Sequence, residues 1–383
     1  MSAEIRPFIL AVDEGELVDL RRRLDQARWP EREPVPGWEQ GVPTDPLRGL
    51  MDHWRHAYDW RRCEAMLNGF GQYKTMIDGV NIHFLHIRSP HEDALPLLLT
   101  HGWPGSVIEF HKVIGPLSDP VAHGGNAADA FHLVVPSLPG YGFSGKPAAS
   151  GWGVERIARA WAELMRRLGY DRYVAQGGDW GSAVTVQLGV QAPPGLAGVH
   201  FNMLTVTPSD LGDDMDDQER AAVTKARHFA DVESAYARLQ ATRPQTIGYA
   251  LADSPVAQAA WIYEKLRTWS DCDGEAENIF TRDEMLDNIM LYWLTNSGAS
   301  SARLYWESMG SFRPMKIDLP LGYTQFPREI LSPPRKWADR LFSNIIYWNA
   351  VDKGGHFAAF EQPTLFVQEI RNCFRSLRQG SSI

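Results

Sequence analysis

Gln176-Gly177-Gly178-Asp179-Trp180-Gly181-Ser182 decides the fold, because of what stands on either side of it. Residues 173–176 end a compact apolar run of strand length, and the chain after the motif reads as a helix. Gly177 and Gly181 bracket Asp179 as G-x-D-x-G, the spacing of a nucleophile elbow with Asp at the position often held by Ser. Such a turn is strained and tightly packed, so only very small residues fit beside it. Two plainer roles fit the same residues. Asp179 would also serve as an N-cap, and the glycines would suit a phosphate loop, although no G-x-G-x-x-G or G-K-[ST] follows.

Working outward, further strands are predicted over Val80–Ile87, Leu95–Thr100 and Phe131–Pro136, with a helix over 154–168 before the elbow strand. Strand, helix, strand in that order predicts an α/β fold with a mainly parallel sheet covered on both faces. Another strand is expected at 199–204. About one hundred residues then read as helix after helix with acidic loops, before strands resume at 319–324 and 345–351 and a helix closes the chain over Pro363–Phe374. Residues 1 to about 75 look helical. Leu17, Leu20 and Leu24 recur at helical spacing behind Asp13 and Glu16, and Trp29-Pro30 closes that segment. Asp45-Pro46 reads as an N-cap followed by a proline at the first helical position. The expected units are 1–78, a helical N-terminal segment; 79–204, the first part of the core; 205–309, a helical lid; and 310–383, the rest of the core.

Composition bounds the function. Of 383 residues, 44% are hydrophobic and 22% charged, the usage of a folded globular protein. The net charge of -9, from 38 Lys+Arg against 47 Asp+Glu, comes without a basic stripe, so no nucleic-acid partner is expected. Apolar runs such as Leu95–Thr100 fall far short of the roughly 18 residues of a membrane span. With no signal peptide visible, a cytoplasmic protein is expected. Cys63, Cys272 and Cys373 are isolated and odd in number, which argues against a disulfide framework and a zinc site and for buried thiols. No metal and no organic cofactor is expected.

Two further motifs carry chemistry. Thr100-His101-Gly102-Trp103-Pro104-Gly105-Ser106 ends a strand in a loop that can aim the Trp103 N–H into a pocket. In an α/β hydrolase that loop supplies half of an oxyanion hole, and the residue after the nucleophile, Trp180, supplies the other half. By itself His101 is more simply a satisfied turn residue. Gly354-Gly355-His356-Phe357 follows the last strand, and nucleophile first with His last is the chain order of α/β-hydrolase triads. The acid belongs between them; Glu329 in Phe326-Pro327-Arg328-Glu329 fits best, with Asp339 and Asp352 as competitors.

Together HGWPGS, GGDWGS, FPRE and GGHFAAFEQP resemble the microsomal-type epoxide hydrolases of the α/β-hydrolase superfamily, and the leading RPFILAVDEGELVDLRRRLDQARWPE resembles their N-terminal domain. The similarity spans essentially the whole chain. It implies an α/β-hydrolase fold with a helical lid and N-terminal extension. It also assigns lid phenols to Tyr236 and Tyr305, which composition alone would leave as core aromatics. The implied reaction opens an epoxide by attack of Asp179. The resulting hydroxyalkyl ester is then hydrolysed by water that His356 activates, with Glu329 orienting the imidazole and the Trp103 and Trp180 amides holding the oxyanion. The partners are then an epoxide and water. Trp103, Trp180 and Phe357 suggest a bulky or aryl epoxide, in detoxification or natural-product tailoring. Animal members carry an N-terminal membrane anchor; none is expected here, and a homodimer stays open. A haloalkane or haloacid dehalogenase would share the ester chemistry but need indole donors, for which Trp261, Trp269 and Trp306 are candidates. A non-catalytic ligand-binding member of the fold would more naturally have lost one of the three residues. A serine esterase does not fit, since Ser182 lies outside the elbow.

Overall fold

The computed structural model describes residues 4–208, 210–212 and 214–378. Their strands form one sheet. β1 (Ile5–Pro7), β2 (Gln72–Ile77), β3 (Val80–Ile87), β4 (Leu95–Thr100), β5 (Phe131–Pro136), β6 (Tyr173–Gly177), β7 (Leu196–Phe201), β8 (Leu321–Gln325) and β9 (Ile345–Ala350) lie in the order β1-β2-β3-β5-β4-β6-β7-β8-β9. β1, β2, β3 and β5 pair antiparallel, and every pairing from β5 across to β9 is parallel.

The apolar runs that mark the central strands follow from burial on both faces: every residue of β5 and of β6 is buried. β3, β4, β5 and the closing helix match their expected spans residue for residue. The leading segment does not stay helical. It contributes β1 and β2 to the sheet, where Gln72-Tyr73-Lys74-Thr75-Met76-Ile77 alternates in burial beside an exposed short edge strand. Between them lie α1 (Glu14–Asp25), α2 (Thr44–His56) and α3 (Trp60–Gly69). α1 stops at Asp25, before Trp29. α2 begins a residue ahead of Asp45, with Pro43 at its N-cap. Its first donors are met from outside, because Thr44 donates through N (3.1 Å) and Oγ1 (2.8 Å) to Glu33 Oε2, while Asp45 pairs with Arg32.

α4 (His111–Ser118), α5 (Val154–Arg167) and α6 (Asp179–Gln191) cross over the parallel strands. α5 is amphipathic and buries Ile157, Trp161, Leu164 and Met165, whereas α6 is buried on nearly all sides and is built from small and apolar residues. Between β7 and β8 stand six helices, α7 (Asp217–His228), α8 (Ala235–Thr242), α9 (Pro244–Asp253), α10 (Pro255–Thr268), α11 (Arg282–Leu294) and α12 (Gly298–Ser308). α13 (Arg335–Asp339), α14 (Ala358–Glu361) and α15 (Pro363–Phe374) complete the chain. No helix among the described residues is long and apolar enough to cross a membrane. Cys63, Cys272 and Cys373 are buried free thiols.

β4 has β5 on one side and β6 on the other, so the strand order reverses there. In such sheets the crevice beyond the carboxyl ends of the strands is where ligands bind. The HGWPGS loop leaves β4 and the elbow leaves β6 at that point, with Thr100 beside Gly177 in register.

Candidate active site

Asp179 opens α6 with φ +49°, a left-handed conformation that costs a non-glycine residue about 1–3 kcal/mol and persists only where its surroundings impose it. The flanking glycines impose it. A Cβ on Gly181 would overlap the Thr100 carbonyl oxygen, and one on Gly177 would overlap that of Gly181. The turn therefore packs backbone to backbone and holds the carboxylate at the carboxyl end of the sheet, 8% exposed. This Asp does not cap α6, whose N-cap is Gly178. Ser182 lies one turn on, its hydroxyl donating to the Met203 carbonyl.

His356 sits on the loop after β9, where its N–H donates to the Trp269 carbonyl (3.0 Å) and the neighbouring Gly355 bridges to Arg328. Its Nδ1 is 2.7 Å from Glu329 Oε1 and its Nε2 is 3.5 Å from Asp179 Oδ2. Glu329 is fully buried and is steadied by the Ile330 N–H (2.6 Å) and by Asn202 Nδ2 (3.4 Å). The competitors lie away from His356: Asp339 pairs with Arg335 on the surface and Asp352 is exposed. Burial alone would drive the imidazole pKa down, but the Glu329 and Asp179 carboxylates overcome that and hold it well above its ordinary value.

The HGWPGS loop closes the other side, where the Trp103 N–H donates to Asp179 Oδ1 at 2.7 Å. The Trp180 amide lies in the first turn of α6, whose N–H groups have no partner within the helix. His101 is the satisfied turn residue: it joins the Gly102 carbonyl (2.9 Å) to the Leu138 N–H (3.2 Å), and burial lowers its pKa to about 4.

Tyr236 on α8 and Tyr305 on α12 come down over this floor with ring centroids 5.8 Å apart. Tyr236 stacks on Trp103 at 5.0 Å, and Tyr305 meets Trp180 edge-on at 4.8 Å. Burial first, and the Asp179 carboxylate with it, keeps both phenols protonated far past their ordinary range. Trp269 completes the wall, 5.2 Å from Tyr236 and 5.0 Å from His356. The Tyr305 hydroxyl and the Trp180 and Trp269 indole N–H groups are buried without partners. Of the other tryptophans, Trp261 donates to Gln240 and Trp306 is exposed. All seven residues expected to form the site thus converge.

Sequence alone did not show Asn202, which links Glu329 to Gln176. Nor did it show Glu361, which accepts from the N–H groups of Phe357 and Asp271 and so ties the His356 loop to the helical insertion. Glu361 lies within the quoted GGHFAAFEQP motif, so the signal was present there without a geometric cue.

Residues 5–110 match the family described as the epoxide hydrolase N terminus, and residues 96–231 match the alpha/beta hydrolase fold. The chain is 59% identical, over 98% of its length and 86% of its relative's, to the Stigmatella aurantiaca protein named "Putative epoxide hydrolase". It is 36% identical to "Epoxide hydrolase 1" of Oryctolagus cuniculus, covering 96% of this chain and 88% of that one. The crystal structure of juvenile hormone epoxide hydrolase from the silkworm Bombyx mori superposes with a TM-score of 0.90 at 30% identity, covering 99% of this chain and 96% of that chain. An Aspergillus niger epoxide hydrolase superposes at 0.86 and 32%, with 97% and 96% covered. The chain belongs to the microsomal-type epoxide hydrolase family of α/β-hydrolase-fold enzymes.

Proposed function

We propose that this enzyme opens epoxides through a covalent ester on Asp179. The observation that carries this is His356 held between Asp179 and Glu329 beneath two buried phenols. A carboxylate needs no base to attack an sp3 ring carbon, so Asp179 serves directly as nucleophile. The O–H groups of Tyr236 and Tyr305 donate to the ring oxygen as it gains charge. As the ester forms, Asp179 loses its charge, which removes one of the two carboxylates that held the His356 proton, and that proton is released to neutralise the alkoxide left by ring opening. The imidazole then becomes the base that takes a proton from water, and that water attacks the Asp179 carbonyl carbon. The Trp103 N–H, already aimed at Asp179 Oδ1, and the Trp180 N–H receive the oxyanion.

The substrate class is read from the walls. Trp103, Trp180, Trp269 and Phe357 enclose the carboxylate in aromatic surface, which suits an aryl or otherwise bulky epoxide. A groove of about 560 Å³ adjoins that wall through Trp269, and the rest of its lining, Lys225, Glu233, Arg267 and Asp273 among it, is mostly polar. A bulky epoxide fits detoxification or the tailoring of natural products. The partnerless indoles of Trp180 and Trp269 are the one feature that would also suit a leaving halide, so halide release from bromoalkanes belongs in the same assay panel.

A single turnover in heavy-oxygen water tests the ester route. The first diol should carry its new oxygen unlabelled, from Asp179, and the label should enter the enzyme; label passing straight into that diol would exclude the ester.

A further inference from the structure

Ester hydrolysis needs a water held at one angle, and the groups around the ester provide a place for it. Below the aromatic wall lies a cavity of about 20 Å³, room for one water, lined by Asp179, His356, Glu109, Gln176 and Asn202. Two of these have polar atoms that ester formation does not use. Gln176 donates through Nε2 to Asn202 (2.8 Å), which leaves its buried Oε1 without a partner. Glu109 stands in the short turn Val107–Phe110 just after the HGWPGS loop, otherwise made of buried apolar residues. Its carboxyl folds back over Gly105, where any Cβ would overlap Oε1, so the glycine makes room for the acid. Desolvation, opposed by His356 and reinforced by Asp179 and Glu361, pushes the Glu109 pKa up to about 8. That shift favours the uncharged acid near neutral pH, which can hydrogen-bond a water without repelling the neighbouring Asp179.

We propose that Glu109, with the Gln176 side-chain oxygen, positions the hydrolytic water between His356 and the Asp179 ester. This rests on the ester route above. One water proton passes to His356 Nε2 while the water oxygen bonds to the Asp179 carbonyl carbon. The second proton is hydrogen-bonded by Glu109 and Gln176. When the tetrahedral intermediate collapses, the carbon–oxygen bond to the product breaks, the diol oxygen takes the proton from His356, and the second water proton, left on the Asp179 carboxyl, passes to the now neutral imidazole, which restores the carboxylate and the resting imidazolium. Glu109 is thus a positioning residue for the second half-reaction, with no part in the first.

The test is rapid-quench single turnover of styrene oxide with intact-protein mass spectrometry, on the wild-type enzyme, Glu109→Leu, Glu109→Gln, Gly105→Ala and His356→Ala. Glu109→Leu should form the ester within about threefold of the wild-type rate and hydrolyse it at least about tenfold more slowly, so that adduct accumulates. Glu109→Gln keeps a neutral acceptor and should recover most of that loss. Gly105→Ala leaves Glu109 in the chain but displaces its carboxyl, and should show the same hydrolytic defect. It decides the matter if leucine at 109 fails to fold. Ester breakdown at the wild-type rate in Gly105→Ala, or ester formation slowed as much as breakdown, overturns the assignment. Absence of an adduct even in His356→Ala would instead overturn the ester route.

Discussion

At the scale of single residues, the proposed mechanism turns on the loss of one charge. In the resting enzyme two carboxylates hold the His356 proton against the cost of burial. On the proposed ester route, esterifying Asp179 would remove one of them, so the imidazole pKa would fall when a base is wanted. Ester hydrolysis should therefore rise with pH along a limb set by His356 in the intermediate, while ester formation stays flatter over the same range. Glu329→Gln takes away the remaining carboxylate, which stabilises the imidazolium, so that limb should move to lower pH while the plateau rate drops because the ring is less well oriented. Stopped-flow kinetics of the two steps between pH 5 and 9 checks both signs; a limb that moves upward would contradict the coupling. In the proposed mechanism the phenols act in the other half-reaction. Losing one donor to a developing oxyanion costs about 10²- to 10³-fold in rate. Tyr305→Phe, whose hydroxyl lies buried beside Tyr236 and the Trp180 indole, should slow ester formation by up to that much and leave hydrolysis of an ester already formed nearly unchanged.

At the scale of elements, the HGWPGS loop is held from above by α11. Asn288 receives the Ser106 hydroxyl (2.7 Å) and donates to the Pro104 carbonyl (2.8 Å), and the Tyr292 hydroxyl donates to the Gly105 carbonyl (2.7 Å). Asn288→Ala strands the buried Pro104 carbonyl, which should cost about 1–3 kcal/mol of stability. It should also slow both half-reactions, since the Trp103 amide serves each; thermal melts with transient kinetics measure both effects, and an unchanged rate would show that the loop holds its shape alone. The same elements show what the sequence disclosed. β4, β5 and β6 were legible because strands buried on two faces must be apolar throughout. β2 was not, because a half-buried strand at the side of the sheet carries Lys74 and Thr75 among its apolar residues and merges with the helices before it. Asp179 and His356 were marked by the glycines that backbone crowding requires beside them. Glu109 was not, because a single acid in Val107-Ile108-Glu109-Phe110 has no spacing to distinguish it, and its partner Gly105 reads as one more turn residue. The start of α2 was misplaced because its first donors are met by Glu33, eleven residues upstream of Thr44, a contact made only when the chain folds.

At the scale of the whole molecule, the N-terminal segment braces the roof of the site. Arg62 of α3 grips Asp287 of α11 through both carboxylate oxygens (2.7 Å each), Tyr58 donates to the same carboxylate (2.7 Å), and His53 meets Asp283 (2.7 Å). α11 in turn holds the HGWPGS loop, so through this helix the N-terminal helices are tied to the loop that carries the Trp103 amide. Asp287 is the energetic weak point of that tie, because it is almost wholly buried and burial raises its pKa although Arg62 and Tyr58 pull the other way. An acid whose pKa is raised by folding weakens the fold as pH climbs past its unfolded value, and Arg62 limits that loss. Arg62→Ala should therefore cost about 2 kcal/mol or more near pH 8 and less near pH 5, because losing the cation raises the Asp287 pKa further and a protonated acid needs no partner. Replacing both partners by apolar residues, as Arg62→Met with Asp287→Leu, should recover much of the stability and abolish its pH dependence, because no buried charge is then left unpaired. Denaturant melts at the two pH values measure the effect. A deficit equal at both would mean that the contact acts through packing of the arginine stem rather than through the buried carboxylate.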